Sequence, residues 1–301
     1  MLASEPVQEN IHPKTYIGKV ALTTASLERM LPFYVQILGL QLLERSDGTA
    51  RLGAPDGHEI VRLVEDSVAT QPSRRATGLY HMAIRVPSRA DLARALHRLA
   101  AAQWPFQGFA DHGVSVAAYL ADPDGNGIEI YRDRPRTEWP YRDGSLQMVT
   151  DPLDVDGIMD TLRGQDEPEV DAFPVGTDMG HIHLQVADIA ASERFYVGVL
   201  GFDLVQRFGS SAGFVSAGGY HHHIGFNTWH SAGAQPPPPG STGLRYFTIC
   251  YPSAEALEFS TRRIRAAGIE LREIEGDTQP AYRVADPSGN QMLLMVVHNH
   301  S

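Results

Sequence analysis

Histidine and acidic side chains stand at matching points along this sequence. His81 and His181 each open a stretch in which apolar residues alternate, and Glu129 lies between two isoleucines. Two imidazoles with one carboxylate form a facial set that suits iron(II) and leaves three coordination positions open. An imidazole also suits proton transfer, because it titrates near neutral pH. These residue types indicate metal-assisted chemistry, provided that the fold brings them together.

A unit of one strand, one helix and further strands occurs four times along the chain. Period-two alternation predicts the strands, and glycines after amphipathic stretches predict several helix ends. The units, here called modules one to four, begin with strands at 19–22, 81–84, 181–184 and 246–249 and have helices at 27–38, 90–103, 192–200 and 254–267. The last strands of modules two, three and four are predicted at 127–131, 220–225 and 291–294. The sequence therefore predicts an α+β protein of four βαβββ modules.

Short phrases recur in alternate modules. Modules one and three share a Phe-Tyr pair at 33–34 and 195–196, and modules two and four share Asp-Pro-x-Gly-Asn turns at 122–126 and 286–290. Such βαβββ modules, with these phrases, resemble the vicinal-oxygen-chelate superfamily of glyoxalase, bleomycin-resistance and extradiol dioxygenase proteins. The resemblance implies two cups of sheet and covers most of the chain. We expect a first domain of two modules at 15–132, a connector at 133–178 with a short helix near 158–162, and a second domain of two modules at 179–298.

In this superfamily, metal ligands project from the first and last strands of two modules that share a cup. The matching first-strand positions are occupied in modules one to four by Lys19, His81, His181 and Tyr246, and the last-strand positions of modules two and four by Glu129 and Leu293. If modules one and two pair, only two ligands meet, because an ammonium does not bind a metal. If modules two and three pair, His181 joins His81 and Glu129. We favour the second pairing, which leaves modules one and four as a structural cup without metal.

The segment 111–129 is similar to the extradiol dioxygenase signature, in which a histidine is followed by a tyrosine, an Asp-Pro-x-Gly turn and the ligand glutamate. Two positions depart from that signature, Ala118 within the segment and Ala110 immediately before it. The resemblance implies that Glu129 is a metal ligand, His112 an acid or base, and Tyr119 a hydrogen-bonding partner of the substrate or oxygen.

Further histidines could lie near the metal. His183 would share the face of its strand with His181, because side chains alternate along a strand. By the same rule, His221 and His223 would share one face of the predicted strand 220–225 and His222 the other. Of these, we expect His223 to face the metal or the substrate.

The phrase Gly218 to Gly225, followed by Asn227 and Trp229, resembles the catechol-2,3-dioxygenase-like branch of the superfamily. The resemblance implies Fe(II), with Mn(II) as a second option, and extradiol cleavage of a small aromatic diol by dioxygen. A glyoxalase-like metal-dependent isomerase or lyase is an alternative, although typical glyoxalase cups carry two carboxylates where this chain offers one. A metal-free small-molecule-binding resistance protein is the other alternative.

Composition limits the partners and the compartment. The 301 residues carry a formal net charge of −11 without a basic patch, which argues against nucleic acid as a partner. No apolar stretch approaches the roughly 20 residues that cross a bilayer, and the polar N-terminus does not resemble a signal peptide. A single cysteine, Cys250, fits a reducing compartment, so we expect a cytoplasmic protein. Strand edges between modules make a homodimer reasonable.

Overall fold

Each module folds into one strand, one helix and three further strands, as the repeat predicts. A computed structural model describes residues 10–164, 172–275 and 281–297. Module one contains β1 (Tyr16–Thr24), α1 (Leu27–Pro32), β2 (Gln41–Ser46), β3 (Thr49–Gly53) and β4 (Glu59–Glu65). Module two contains β5 (Gly78–Arg85), α2 (Arg89–Ala101), β6 (Phe106–Asp111), β7 (Ser115–Ala121) and β8 (Gly127–Asp133).

The second half of the chain repeats this order after a connector. The connector holds a two-stranded hairpin and a short helix close to the predicted one: β9 (Tyr141–Arg142), β10 (Ser145–Leu146) and α3 (Val155–Met159). Module three contains β11 (Asp178–Gln185), α4 (Ile189–Glu193), β12 (Asp203–Phe208), β13 (Ala212–Ser216) and β14 (Ile224–Asn227). Module four contains β15 (Gly243–Tyr251), α5 (Ala254–Ala266), β16 (Arg272–Ile274), β17 (Ala281–Ala285) and β18 (Gln291–Val296).

The modules pair into two eight-stranded sheets. Sheet A, in the order β16-β17-β18-β15-β1-β4-β3-β2, combines modules four and one. Sheet B, in the order β12-β13-β14-β11-β5-β8-β7-β6, combines modules three and two. The favoured pairing of modules two and three is thereby confirmed, as is the α+β class. Each sheet contains four strands from each half of the chain, so each sheet includes strands from both predicted domains. The domain ranges 15–132 and 179–298 stay a prediction.

Helix ends follow local backbone chemistry. Ser26, Ser88 and Ser253 cap helices α1, α2 and α5 by accepting a hydrogen bond from a first-turn amide, which satisfies one donor that the helix leaves open. Helices α1 and α4 continue as π-helical turns at Phe33–Ile37 and Arg194–Val199. In the part of the chain that the structure describes, no helix is both long and apolar enough to span a bilayer.

The recurring phrases contact one another. The Tyr34 hydroxyl donates to a carboxylate oxygen of Asp122 at 2.8 Å, and the Tyr196 hydroxyl donates to Asp286 at 3.0 Å. Each aspartate also accepts the amide of the asparagine that closes its turn, Asn126 in the first case. Tyr34 lies in module one, whose strands belong to sheet A, and Asp122 lies in module two, whose strands belong to sheet B. Tyr196 of module three and Asp286 of module four are related in the same way, so these buried contacts join the modules of one sheet to those of the other.

Candidate metal centre

Three adjacent strands of sheet B bring the predicted ligands together. Glu129 on β8 lies beside Ala83 on β5, which in turn lies opposite His181 on β11. His81 precedes Ala83 by two residues and therefore points to the same face. The small side chain of Ala83 leaves space between the three larger ones. The sequence comparison of modules thus selected residues that the sheet places side by side.

The three side chains converge on a common point. One ligand atom from each lies within 4.8 Å of the others, and all three residues are buried. Nε2 of His81 is 3.0 Å and Nε2 of His181 is 3.2 Å from the same oxygen of Glu129. Despite this short distance, Nε2 of His81 has no hydrogen-bond partner among the described residues. A buried nitrogen without a partner is costly, and a divalent ion held by these atoms would satisfy it.

The electrostatics favour protonation states that bind a metal. Burial raises the pKa of Glu129, but the neighbouring imidazoles of His181 and His81 outweigh burial and hold that pKa well below 4.5. Burial lowers the pKa of His181 to about 4, against the opposing effect of Glu129. At neutral pH a charged carboxylate therefore faces a neutral imidazole, and these are the forms that coordinate metal ions.

Packing, without a hydrogen bond at Nδ1, supports the far side of the His181 ring. Its Nδ1 is buried and has no hydrogen-bond partner in the described ranges. The ring of Tyr131 on β8 lies 4.8 Å from it, measured between ring centroids. Gly180 makes this packing possible, because a Cβ atom there would lie 1.7 Å from the Tyr131 hydroxyl. Neither Tyr131 nor Gly180 was selected from the sequence, which carries no periodic signal for a contact of this kind.

His112 and Tyr119 form a hydrogen-bonded pair at the edge of the site. His112 Nδ1 lies 2.7 Å from the carbonyl oxygen of Val149, which can only accept, so Nδ1 carries the proton. His112 Nε2 lies 2.6 Å from the Tyr119 hydroxyl and, in the neutral ring, accepts a hydrogen bond from it. Burial and the neighbouring Glu129 raise the pKa of Tyr119 well above 10, so this phenol stays protonated.

His183 lies beside the ligands, as the strand alternation predicts. It stands opposite His81 across β5 and β11, and their ring centroids are 5.0 Å apart. The side-chain amide of Asn227 donates to His183 Nε2 at 3.0 Å, and its oxygen accepts the backbone amide of Trp229. Burial lowers the pKa of His183 well below 6.5. His183 is therefore a neutral, oriented ring on the concave face of sheet B.

The histidine run precedes its strand instead of belonging to it. Strand β14 begins at Ile224, so the predicted strand 220–225 is wrong and period-two alternation does not apply to 221–223. His223 Nδ1 accepts the amide of Ala217 at 3.1 Å. It is His222 that lines the cavity beside the ligands, with its ring centroid 4.0 Å from that of His181. The expectation that His223 faces the metal or substrate is corrected accordingly.

A chain of hydrogen bonds fixes His222. Its Nδ1 lies 2.9 Å from Nδ1 of His221, and His221 Nε2 lies 2.8 Å from a carboxylate oxygen of Asp133. Although burial raises the pKa of Asp133, the contacts with His221, Arg85 and Tyr220 lower it below 3.8. The charged carboxylate accepts from His221 Nε2, and in the neutral form of that ring Nδ1 accepts from His222. With His221 in that form, Nε2 of neutral His222 carries a lone pair.

The corresponding face of sheet A is built differently. Lys19 lies 2.5 Å from Glu59 in an ion pair, and Tyr246 and Leu293 pack against Ala21 in a small apolar cluster. The structural, metal-free role of this cup stays a prediction.

A cavity of about 410 Å³ opens from the ligands of sheet B towards the surface. Its volume falls within the range of small-molecule sites. The segment after β10 forms part of its wall, since Met148 exchanges backbone hydrogen bonds with the Gln206 side chain on β12. Two of the three candidate metal ligands, His81 and Glu129, therefore line this pocket.

Comparisons with known proteins agree with this architecture. The model of the Glyoxalase/Bleomycin resistance protein/Dioxygenase superfamily matches residues 16–130 and 178–294. A Bacillus subtilis (strain 168) protein named catechol-2,3-dioxygenase is 43% identical over 292 residues, which cover 96% of this chain and 99% of the relative.

Two solved structures share the fold at low sequence identity. A structure from Bacillus subtilis subsp. subtilis str. 168 is 14% identical, with a TM-score of 0.68 over 96% of this chain and 86% of its own. Glyoxalase I from Zea mays is also 14% identical, with a TM-score of 0.58 over 93% of this chain and 92% of its own.

Proposed function

Since the chain belongs to the glyoxalase/bleomycin resistance protein/dioxygenase superfamily, we propose that it is an iron(II)-dependent extradiol dioxygenase acting on a catechol-like aromatic. The observation that carries the proposal is the convergence of His81, His181 and Glu129 at the inner end of a pocket. The identity of 43% to a protein named catechol-2,3-dioxygenase, over nearly the whole of both chains, supports this activity over the others in the superfamily.

The metal would be held by His81, Glu129 and His181. One carboxylate with two imidazoles suits Fe(II), and Mn(II) is a second option for the same donor set. Iron(II) held there would supply a path for electrons from the spin-paired aromatic diol to dioxygen. The chain itself supplies orientation, a low-dielectric surrounding and proton transfer.

We assign proton transfer to His112 and hydrogen bonding to Tyr119. The carbonyl of Val149 keeps the His112 proton on Nδ1, which leaves Nε2 free to receive a proton once the Tyr119 hydroxyl turns towards the cavity. A catechol must lose a hydroxyl proton to bind through both oxygens, and this imidazole is placed to accept it. Tyr119, which burial keeps protonated, then donates to an oxygen of the bound reactants.

His183 and His222 complete the polar part of the pocket on the side of module three. Both line the cavity, and burial keeps both neutral by lowering their pKa values well below 6.5. We propose that they contact the substrate or dioxygen as hydrogen-bonding groups.

We infer the cytoplasm as the compartment from the composition, and we retain a homodimer as an expectation.

Purification without oxygen, followed by metal analysis, tests the proposal. We expect close to one iron per chain, uptake of oxygen on addition of catechol, and the absorbance of a ring-opened semialdehyde. Bound metal without oxygen uptake would favour a glyoxalase-like isomerase or lyase. Protein that binds no divalent metal would instead support a metal-free binding function and refute the proposal.

A further inference from the structure

An aromatic wall extends from the candidate metal ligands to the mouth of the cavity. Tyr80 lies 5.3 Å from His81 and 5.2 Å from Trp229, measured between ring centroids. Trp229 and Phe214 both contact the ring of His183, at 5.5 and 5.7 Å. The wall is therefore continuous with the ligands, so an aromatic diol held there would have one side of its ring directed along it.

The outer part of the wall exposes apolar surface to solvent. The side chain of Trp229 is 43% exposed and that of Phe208 is 54% exposed, and both line the cavity. Large exposed apolar side chains that cluster at a pocket mark a binding surface, because burying them on a ligand is favourable.

Polar bonds hold the indole of Trp229 in place. Its Nε1 donates to the Ser211 hydroxyl at 3.2 Å, and its backbone amide donates to Asn227 at 3.1 Å. A side chain fixed before the ligand arrives loses less conformational entropy on binding. Bonds within the chain therefore hold this part of the wall.

The charge of the lining distinguishes between kinds of ring substituent. Glu129 is the acidic residue of the lining, and none of the described lining residues is Lys or Arg. A carboxylate on the ring, away from the hydroxyl groups that face the metal ligands, would be buried here without a Lys or Arg partner, which is unfavourable. An alkyl or aryl group would meet apolar surface instead.

Building on the proposed function, we propose that the preferred substrates are catechols with a bulky apolar ring substituent, and that catechols bearing a carboxylate are rejected. Tyr80, Phe208, Phe214 and Trp229 contact the substituent and set this preference. A hydrophobic group placed in such a pocket changes affinity by roughly 10-fold to 100-fold. The lack of a cation in the lining supplies the selection against anions.

Anaerobic binding separates this inference from turnover. Iron-loaded protein under argon is titrated calorimetrically with catechol, tert-butylcatechol and protocatechuate, the last two carrying an apolar group and a carboxylate at the same ring position. We expect tert-butylcatechol to bind roughly 10-fold tighter than catechol or better, and protocatechuate to bind weaker than catechol. Equal affinities, or tightest binding of protocatechuate, would overturn the inference.

Two variants locate the preference in the wall. Trp229→Ala should reduce the ratio of the catechol and tert-butylcatechol dissociation constants by roughly 5-fold. The control Tyr141→Ala removes an exposed aromatic side chain outside the cavity and should leave the ratio unchanged. A ratio that survives Trp229→Ala, in protein whose circular dichroism matches the parent, would refute the assignment.

Oxygen uptake by the same samples in air distinguishes the two proposals. Turnover of catechol without an apolar preference contradicts only the inference. The binding preference without oxygen uptake from any of the three diols contradicts only the proposed function.

Discussion

His223→Gln tests whether this histidine is a structural acceptor rather than a group of the active site. Its Nδ1 accepts the amide of Ala217, which requires an unprotonated nitrogen. Burial lowers the pKa of His223 from 6.5 to about 3, and the neighbouring His221 and Arg85 add to the shift. Glutamine offers an oxygen to the same amide and does not titrate.

The sign and size of the effect follow from proton linkage. Between pH 6.5 and about 3 the unfolded chain binds a proton at this position and the folded chain does not, so the free energy of unfolding falls as the pH falls through that window. From about pH 8 to about pH 5, protonation of the unfolded chain alone lowers the free energy of unfolding by about 2 kcal/mol. His223→Gln should remove this part of the pH dependence.

Urea unfolding of chelator-treated parent and His223→Gln, at both pH values, measures the difference. The constant effect of the substitution cancels, because each protein is compared with itself at the other pH. The loss on acidification should be smaller in the variant by about 2 kcal/mol. Equal losses would contradict the structural role, as would loss of oxygen uptake in His223→Gln while His222→Gln keeps it.

Three further substitutions test the candidate metal centre. Glu129→Gln should lower the affinity for iron at least roughly 100-fold, because it removes the charged ligand. Glu59→Gln in sheet A should leave that affinity unchanged, and metal analysis after dialysis checks both variants. Tyr119→Phe removes the hydroxyl that bonds His112 and, on the proposed function, should lower kcat by roughly 10-fold to 100-fold without loss of iron, as steady-state oxygen uptake and metal analysis would reveal. Gly180→Ala adds a methyl group against a buried tyrosine and should cost about 1 to 3 kcal/mol, in contrast to Gly198→Ala, whose new methyl group meets no neighbour; thermal unfolding compares them.

The sequence predicted the part of the site that strand periodicity controls. His81, His181 and Glu129 occupy matching positions in repeated strands, and side-chain alternation settles which face each one takes. His183 followed from the same rule. These residues meet because β5, β8 and β11 are neighbours, which required only the correct pairing of modules.

The rest of the pocket depends on turns and on contacts between distant segments. His222 precedes strand β14, where no period relates residue number to direction, so alternation led to His223 instead. Val149 reaches His112 from the connector, and Asp133 reaches His221 across 88 positions of sequence. A single sequence carries no local pattern for such contacts.

The sequence nevertheless contained evidence of how the modules pair, in two independent forms. Ligand positions indicated which modules share a sheet, because a metal needs three donors at one point and only modules two and three could supply them. The phrases that recur in alternate modules indicate which modules contact each other between the two sheets. Tyr34 bonds Asp122 and Tyr196 bonds Asp286, so each phrase of an odd module meets the turn of the following module in the other sheet. Residues that recur in alternate modules thus indicate contacts between the sheets. The first-strand position, in contrast, differs between modules, and the two modules that carry histidine there, His81 and His181, share the sheet that contains Glu129.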